Sequence, residues 1–182
     1  AYLALLRAVG HRVGILRDDP ELIPKVIGSA NLALELEGQD SFILGLTGCA
    51  LADVGEVARA IPILEKAVDA NPHNGHAKTA LGSAYMLSKR MEDAIAMLED
   101  GIRISPADHR RPVWSSILSL AYLSTKQMEL ARDTALLACQ EDDGLYMPRL
   151  ALAGIELVRN DLDAAASAVK DCLRTRPDLK EV

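Results

Sequence analysis

Residues 41–74, SFILGLTGCALADVGEVARAIPILEKAVDANPHN, run directly into 75–108, GHAKTALGSAYMLSKRMEDAIAMLEDGIRISPAD, and the two lines align without a gap. Gly48 falls on Gly82, Ala60 on Ala94, Ile61 on Ile95, Leu64 on Leu98, Glu65 on Glu99 and Pro72 on Pro106, each pair 34 residues apart. A single globular core imposes no such period, so the chain reads as a stack of helical hairpins. Within each line, apolar residues recur at helical spacing in two blocks. In 41–74 the blocks part at Asp53, Val54 and Gly55, and the second ends before Asn71 and Pro72. In 75–108 the break falls around Ser88 to Arg90, and Ser105 with Pro106 closes the second block. Proline ends a helix because it has no amide donor and disfavours a helical residue before it.

Working outward, AYMLSKRME at 84–92 returns as AYLSTKQME at 121–129, three residues later than the period requires. His109, Arg110 and Arg111, just before Pro112, are the expected insertion, forming a wider loop or an extra turn. From 112 the period resumes, with Leu118 on Leu152, Ala131 on Ala165 and Ala138 on Cys172, and Pro177 takes the place of Pro72 and Pro106. Upstream, helical spacing covers Tyr2 to Leu16 and Ile23 to Leu36, with Asp19 and Pro20 as cap and first helical residue. Pro24 is expected to bend or delay that second helix. The reading is one array with borders near 7–40 (a degenerate first repeat), 41–74, 75–108, 112–145 and 146–179. The chain opens on Ala1 inside an apolar helix, so it is taken as a fragment of a longer protein.

Composition narrows the function. Hydrophobic residues make up 49% of the 182, yet aromatics only 3%, which favours closely packed helices over an aromatic-rich cleft. A net charge of -6 speaks against general attraction to nucleic acid or anionic lipid. Cys49, Cys139 and Cys172 show no CxxC spacing and are expected to be reduced, buried small hydrophobes, which points to a cytoplasmic setting. No apolar run reaches the ~18 residues of a membrane span, and no signal-peptide pattern opens the chain.

The spacing resembles the tetratricopeptide repeat. In the clearest unit, Leu81, Gly82, Tyr85, Ala94, Leu98, Gly101 and Pro106 stand where that family places large apolar, small, aromatic, small, large, small and turn residues. The resemblance implies an all-α fold, a right-handed superhelical solenoid of antiparallel helix pairs. Gly82 and Ala94, like Gly48 and Ala60, would let the paired helices approach closely. Glu156 in a Tyr position and Ala135 in a Leu position are expected to loosen the last two repeats. The family lines its concave groove with the first helix of each repeat. Carried over, that groove presents Phe42, Gly45, Cys49 and Ala52, then His76, Thr79, Ser83 and Met86. It continues through Val113, Ser116, Leu120 and Leu123 to Met147, Leu150 and Leu157. Members that grip acidic C-termini use Lys, Asn and Arg on this face, and here it is small and apolar, suited to a helix or an extended apolar segment.

Catalytic chemistry finds no foothold. His73 and His76 lack a third fixed ligand, so no metal is assigned there, and Glu141, Asp142 and Asp143 lack the alternation of a calcium loop. There is no glycine-rich phosphate loop and no GxSxG, and no cofactor is expected. Trp114 reads either as a partner anchor or as a residue packed on the preceding repeat. The function expected is therefore a protein–protein interaction scaffold that binds a protein or peptide segment. The stretch after SPADHRR and the ending LVRNDLDAAASAVKDCLRTRPDL are similar to C-terminal arrays of bacterial class III adenylate or guanylate cyclases and of winged-helix regulators. That implies a regulatory module in a larger signalling protein, with a free-standing adaptor or a homodimerisation module as alternatives.

Overall fold

The computed structural model describes residues 1–12, 19–177 and 179. Among them run ten helices: α1 (Tyr2–Arg12), α2 (Leu22–Glu37), α3 (Ser41–Asp53), α4 (Val57–Ala70), α5 (Gly75–Leu87), α6 (Met91–Ile104), α7 (Arg111–Ser124), α8 (Met128–Glu141), α9 (Tyr146–Val158) and α10 (Leu162–Thr175). They fall into two compact units, Ala1–Ile104 and Ser105–Val182. In the first unit α1 packs on α2, α3 on α4 and α5 on α6, with α3 also against α1 and α5. In the second, α7 packs on α8 and α9 on α10, with α9 also against α7 and α8. The fold class is the all-α solenoid of antiparallel helix pairs.

The turns that join α3 to α4, α5 to α6, α7 to α8 and α9 to α10 are built the same way. At Gly55, Lys89, Lys126 and Asn160 the backbone turns left-handed, with φ of 90, 65, 62 and 62°. The residue after each donates its N–H across the turn, as in Arg90 to the Tyr85 carbonyl at 2.9 Å, while Lys89 donates to Met86 at 3.0 Å. The same two bonds recur from Gln127 to Tyr122 and Lys126 to Leu123, and from Asp161 to Glu156 and Asn160 to Leu157. These are paired C-terminal caps, which satisfy carbonyls that a helix end leaves open.

Small residues set the helix spacing. A Cβ on Gly82 would lie 2.7 Å from Leu98 Cγ and 2.9 Å from the Ala94 carbonyl, and one on Gly48 would lie 2.5 Å from Leu64 Cγ. Leu64 and Leu98 are fully buried, as are Ala60, Ala94, Ala131 and Ala135.

The three-residue delay resolves into two parts. Four residues separate α4 from α5 and α8 from α9, but six (105–110) separate α6 from α7, and α7 has 14 residues where α5 and α9 have 13. The insertion is thus a wider loop plus one helical residue. Asp108 braces the loop, accepting from the Arg110 backbone N–H at 2.8 Å and from its Nε at 2.9 Å. Arg110 also lies over the Trp114 ring, 5.0 Å from its centroid, and Trp114 is buried, so it packs rather than projects.

Three expectations shift. Helix α2 begins at Leu22, not at Pro20, because Asp19 stabilises a turn ahead of it, its carboxylate accepting from Glu21 N–H at 2.9 Å and its carbonyl from Leu22 N–H at 3.0 Å. Pro24 falls in the first turn of α2, where its missing donor removes no intrahelical bond. The expected run of the first helix to Leu16 lies, beyond Arg12, outside the described residues. Glu156 does not leave a gap: it is buried, with Oε1 receiving Arg132 Nε at 2.7 Å and Oε2 lying 3.2 Å from Arg159 Nε.

Candidate functional site

The first helices of the pairs, α3, α5, α7 and α9, carry almost no charge. Their charged residues are Asp53, Lys78, Arg111, Arg149 and Glu156, and of these only Arg111 leaves much of its side chain accessible, where it pairs with Glu141. Lys78 is ion-paired with Asp100 of α6, and Arg149 donates to the Leu145 carbonyl at 2.6 Å. The faces these four helices leave open are consequently neutral.

The residues expected along the groove divide by accessibility. In the first unit Phe42 is exposed and lies against Tyr2 with ring centroids 5.8 Å apart, while Cys49, Ser83 and Met86 are half-buried. Ala52 and His76 are buried, and so is Gly45, where a Cβ would meet Ala77 of α5 at 3.3 Å. Thr79 is fully buried, its hydroxyl donating to the Gly75 carbonyl at 3.0 Å, so it offers a partner nothing. In the second unit Ser116 is likewise buried and donates to Pro112 at 2.7 Å. Val113, Leu123 and Met147 are half-buried. Leu120, Leu150 and Leu157 are exposed, by 37, 53 and 60%.

The second unit therefore brings together an apolar face. On α7, Val113, Leu120 and Leu123 recur at intervals of seven and three residues, which places them on one stripe. On α9, which packs alongside α7, Leu150 and Leu157 are seven apart and occupy the registers of Ser116 and Leu123. The signal missed in the sequence is the depth of one repeat register: Gly45, Thr79 and Ser116, in equivalent places of α3, α5 and α7, are buried rather than on an open face.

Two kinds of likeness follow from this architecture. Residues 51–115 match the tetratricopeptide repeat family. Over that stretch the chain is similar to tetratricopeptide repeats. A solved structure of MamA (41–end) from Desulfovibrio magneticus RS-1 is 20% identical, covers 96% of each chain and superposes with a TM-score of 0.69. YrrB, described as a TPR protein with an unusual peptide-binding site, is 19% identical, covering 81% of this chain and 75% of its own, with a TM-score of 0.63. At these identities the likeness is one of fold. Cellulose synthase operon protein C of Escherichia coli K12 is 37% identical over 73 residues, which is 40% of this chain and 6% of that protein. Tetratricopeptide folds are protein–protein interaction scaffolds. Among the described residues no helix is long and apolar enough to cross a membrane.

Proposed function

We propose that this chain is a single tetratricopeptide array, with the repeat borders given above, that docks an apolar segment of another protein on the first-helix face of α7 and α9. The observation that carries the reading is the pairing of exposed Leu120 and Leu157 with an absence of exposed unpaired charge on α7 and α9. A ligand recognised there gains from apolar burial, at roughly 25 cal/mol per Å², not from a charge clamp. Helix starts at 41, 75, 111 and 146 and at 57, 91, 128 and 162 support the borders. The short stretch shared with a much longer E. coli protein supports a role as one segment of a larger protein. The resemblance of the last three repeats to the arrays of nucleotide cyclases keeps a regulatory module as the second reading.

Panning a random peptide library on the whole chain tests the docking reading. Selected peptides should be apolar and uncharged at the positions that matter, and Leu120→Glu should weaken their binding by about tenfold or more while leaving helicity unchanged. Peptides selected for acidic termini, or binding indifferent to Leu120→Glu, would overturn it. Light scattering separates the homodimer alternative, which requires a mass near twice 19.6 kDa.

A further inference from the structure

The helices α4, α6, α8 and α10 can be compared along the stripe formed by the third, sixth and tenth residue of each, which is exposed throughout on α4 and α8 and half-buried at Asp100 of α6 and Ala164 of α10. On α4 these are Arg59, Pro62 and Lys66, on α6 Asp93, Ala96 and Asp100, and on α10 Ala164, Ser167 and Asp171. On α8 they are Leu130, Asp133 and Leu137. The pattern charged, small, charged of α4 and α6 is thus inverted to leucine, carboxylate, leucine. Leu130 and Leu137 are exposed by 50 and 57%, and neither α7 nor α9 covers them.

The charges around this stripe are already committed except one. Glu129 pairs with Arg159 at 2.8 Å, Glu141 with Arg111 at 2.5 Å, and Arg132, the one basic side chain of α8, with Glu156. Asp133 is exposed and makes no hydrogen bond or ion pair with any described residue. The stripe accordingly offers two apolar knobs, seven residues and about 10 Å apart, with one uncommitted negative charge between them. The complement is a second helix whose apolar residues, also seven apart, flank a Lys or Arg. The acidity of the whole chain favours the same sign of partner.

We infer that this face of α8 docks a basic amphipathic helix of a partner protein. The site is independent of the neutral face on α7 and α9. Leucine scattered singly on a surface needs no explanation, but here two exposed leucines share one stripe seven residues apart.

The test uses a fluorescein-labelled synthetic peptide of leucines and lysines patterned as an amphipathic helix, titrated with the whole chain and read by fluorescence anisotropy. Saturable binding is expected, with loss of about tenfold or more in the double variant Leu130→Arg/Leu137→Lys. That variant carries the residues α4 has at the same register, and its helicity is checked by circular dichroism. Asp133→Lys should weaken binding several-fold at low salt, a leucine–glutamate peptide of the same pattern should fail to bind, and Leu120→Glu should leave binding unchanged. Equal binding by wild type and double variant would reduce the attraction to net charge and overturn the inference. A dimer in light scattering that the double variant dissolves would give the stripe to a second copy, and would overturn it too.

Discussion

Gly82 shows how one missing side chain sets an interhelical distance. Its neighbours at the vacant Cβ position include the Ala94 carbonyl as well as Leu98 Cγ, and a backbone oxygen cannot swing aside. Gly82→Ala is therefore expected to destabilise by about 1–3 kcal/mol in urea unfolding, with the m-value unchanged. Asp108 makes the corresponding electrostatic case. The hydrogen bonds from Arg110 outweigh partial burial and hold its carboxyl at about 2, below the ordinary 3.8. A depressed carboxylate stabilises the fold fully above the unfolded value, and that contribution fades as pH falls from near 4 towards 2. Arg110→Ala should move the Asp108 titration up towards 3.8 in carboxyl-carbon NMR and remove this part of the acid sensitivity. A titration unmoved by the substitution would show that the guanidinium is not the cause. The sequence placed Arg110 in an insertion but gave no hint of this brace, since a loop residue's partner depends on how the loop closes.

At the scale of the element, the turns inside the pairs combine a fixed geometry with variable residues. Gly55 meets its left-handed backbone without steric cost, whereas Lys89 and Lys126 adopt φ of 65 and 62° despite their Cβ atoms. The paired cap bonds, recurring at each turn, are what hold them there. Lys89→Gly and Lys126→Gly should each stabilise by roughly 0.5–1 kcal/mol in thermal or urea unfolding, and Lys126→Val should destabilise. No gain at either glycine variant would mean that the lysine stem contributes packing of similar size. Most helix ends were legible because their signals are local: Asn71 with Pro72 and Ser105 with Pro106 stand just past α4 and α6. The start of α2 was misread for a related reason. Asp19 and Pro20 look like a cap followed by a first helical residue, and the chain spends them on a turn before Leu22.

For the whole molecule, the distribution of charge separates two kinds of surface. The second helices α4 and α6 carry charged stripes, while α3, α5, α7 and α9 bury or pair every charge they own. Binding at the α7 and α9 face should then be nearly independent of ionic strength between about 50 and 500 mM salt, because nothing there is subject to screening. Affinity that fell steeply with salt would place the ligand elsewhere. Glu156 illustrates the balance in the second unit: a buried carboxylate of α9 is held by Arg132 of α8 and by Arg159, and removing either arginine would leave part of a buried charge uncompensated.

The 34-residue echo by itself determined the helix-pair architecture, because helical periodicity, small residues at close contacts and proline at helix ends act within a few residues of where they are written. It also determined that the first-helix faces would be poor in charge. Which of those residues a partner can reach was decided only by tertiary packing. Thr79, Ser116 and Leu150 share one register, yet two are buried and one is open to solvent. Accessibility belongs to the neighbours a helix acquires, and a linear pattern specifies a face without specifying what covers it.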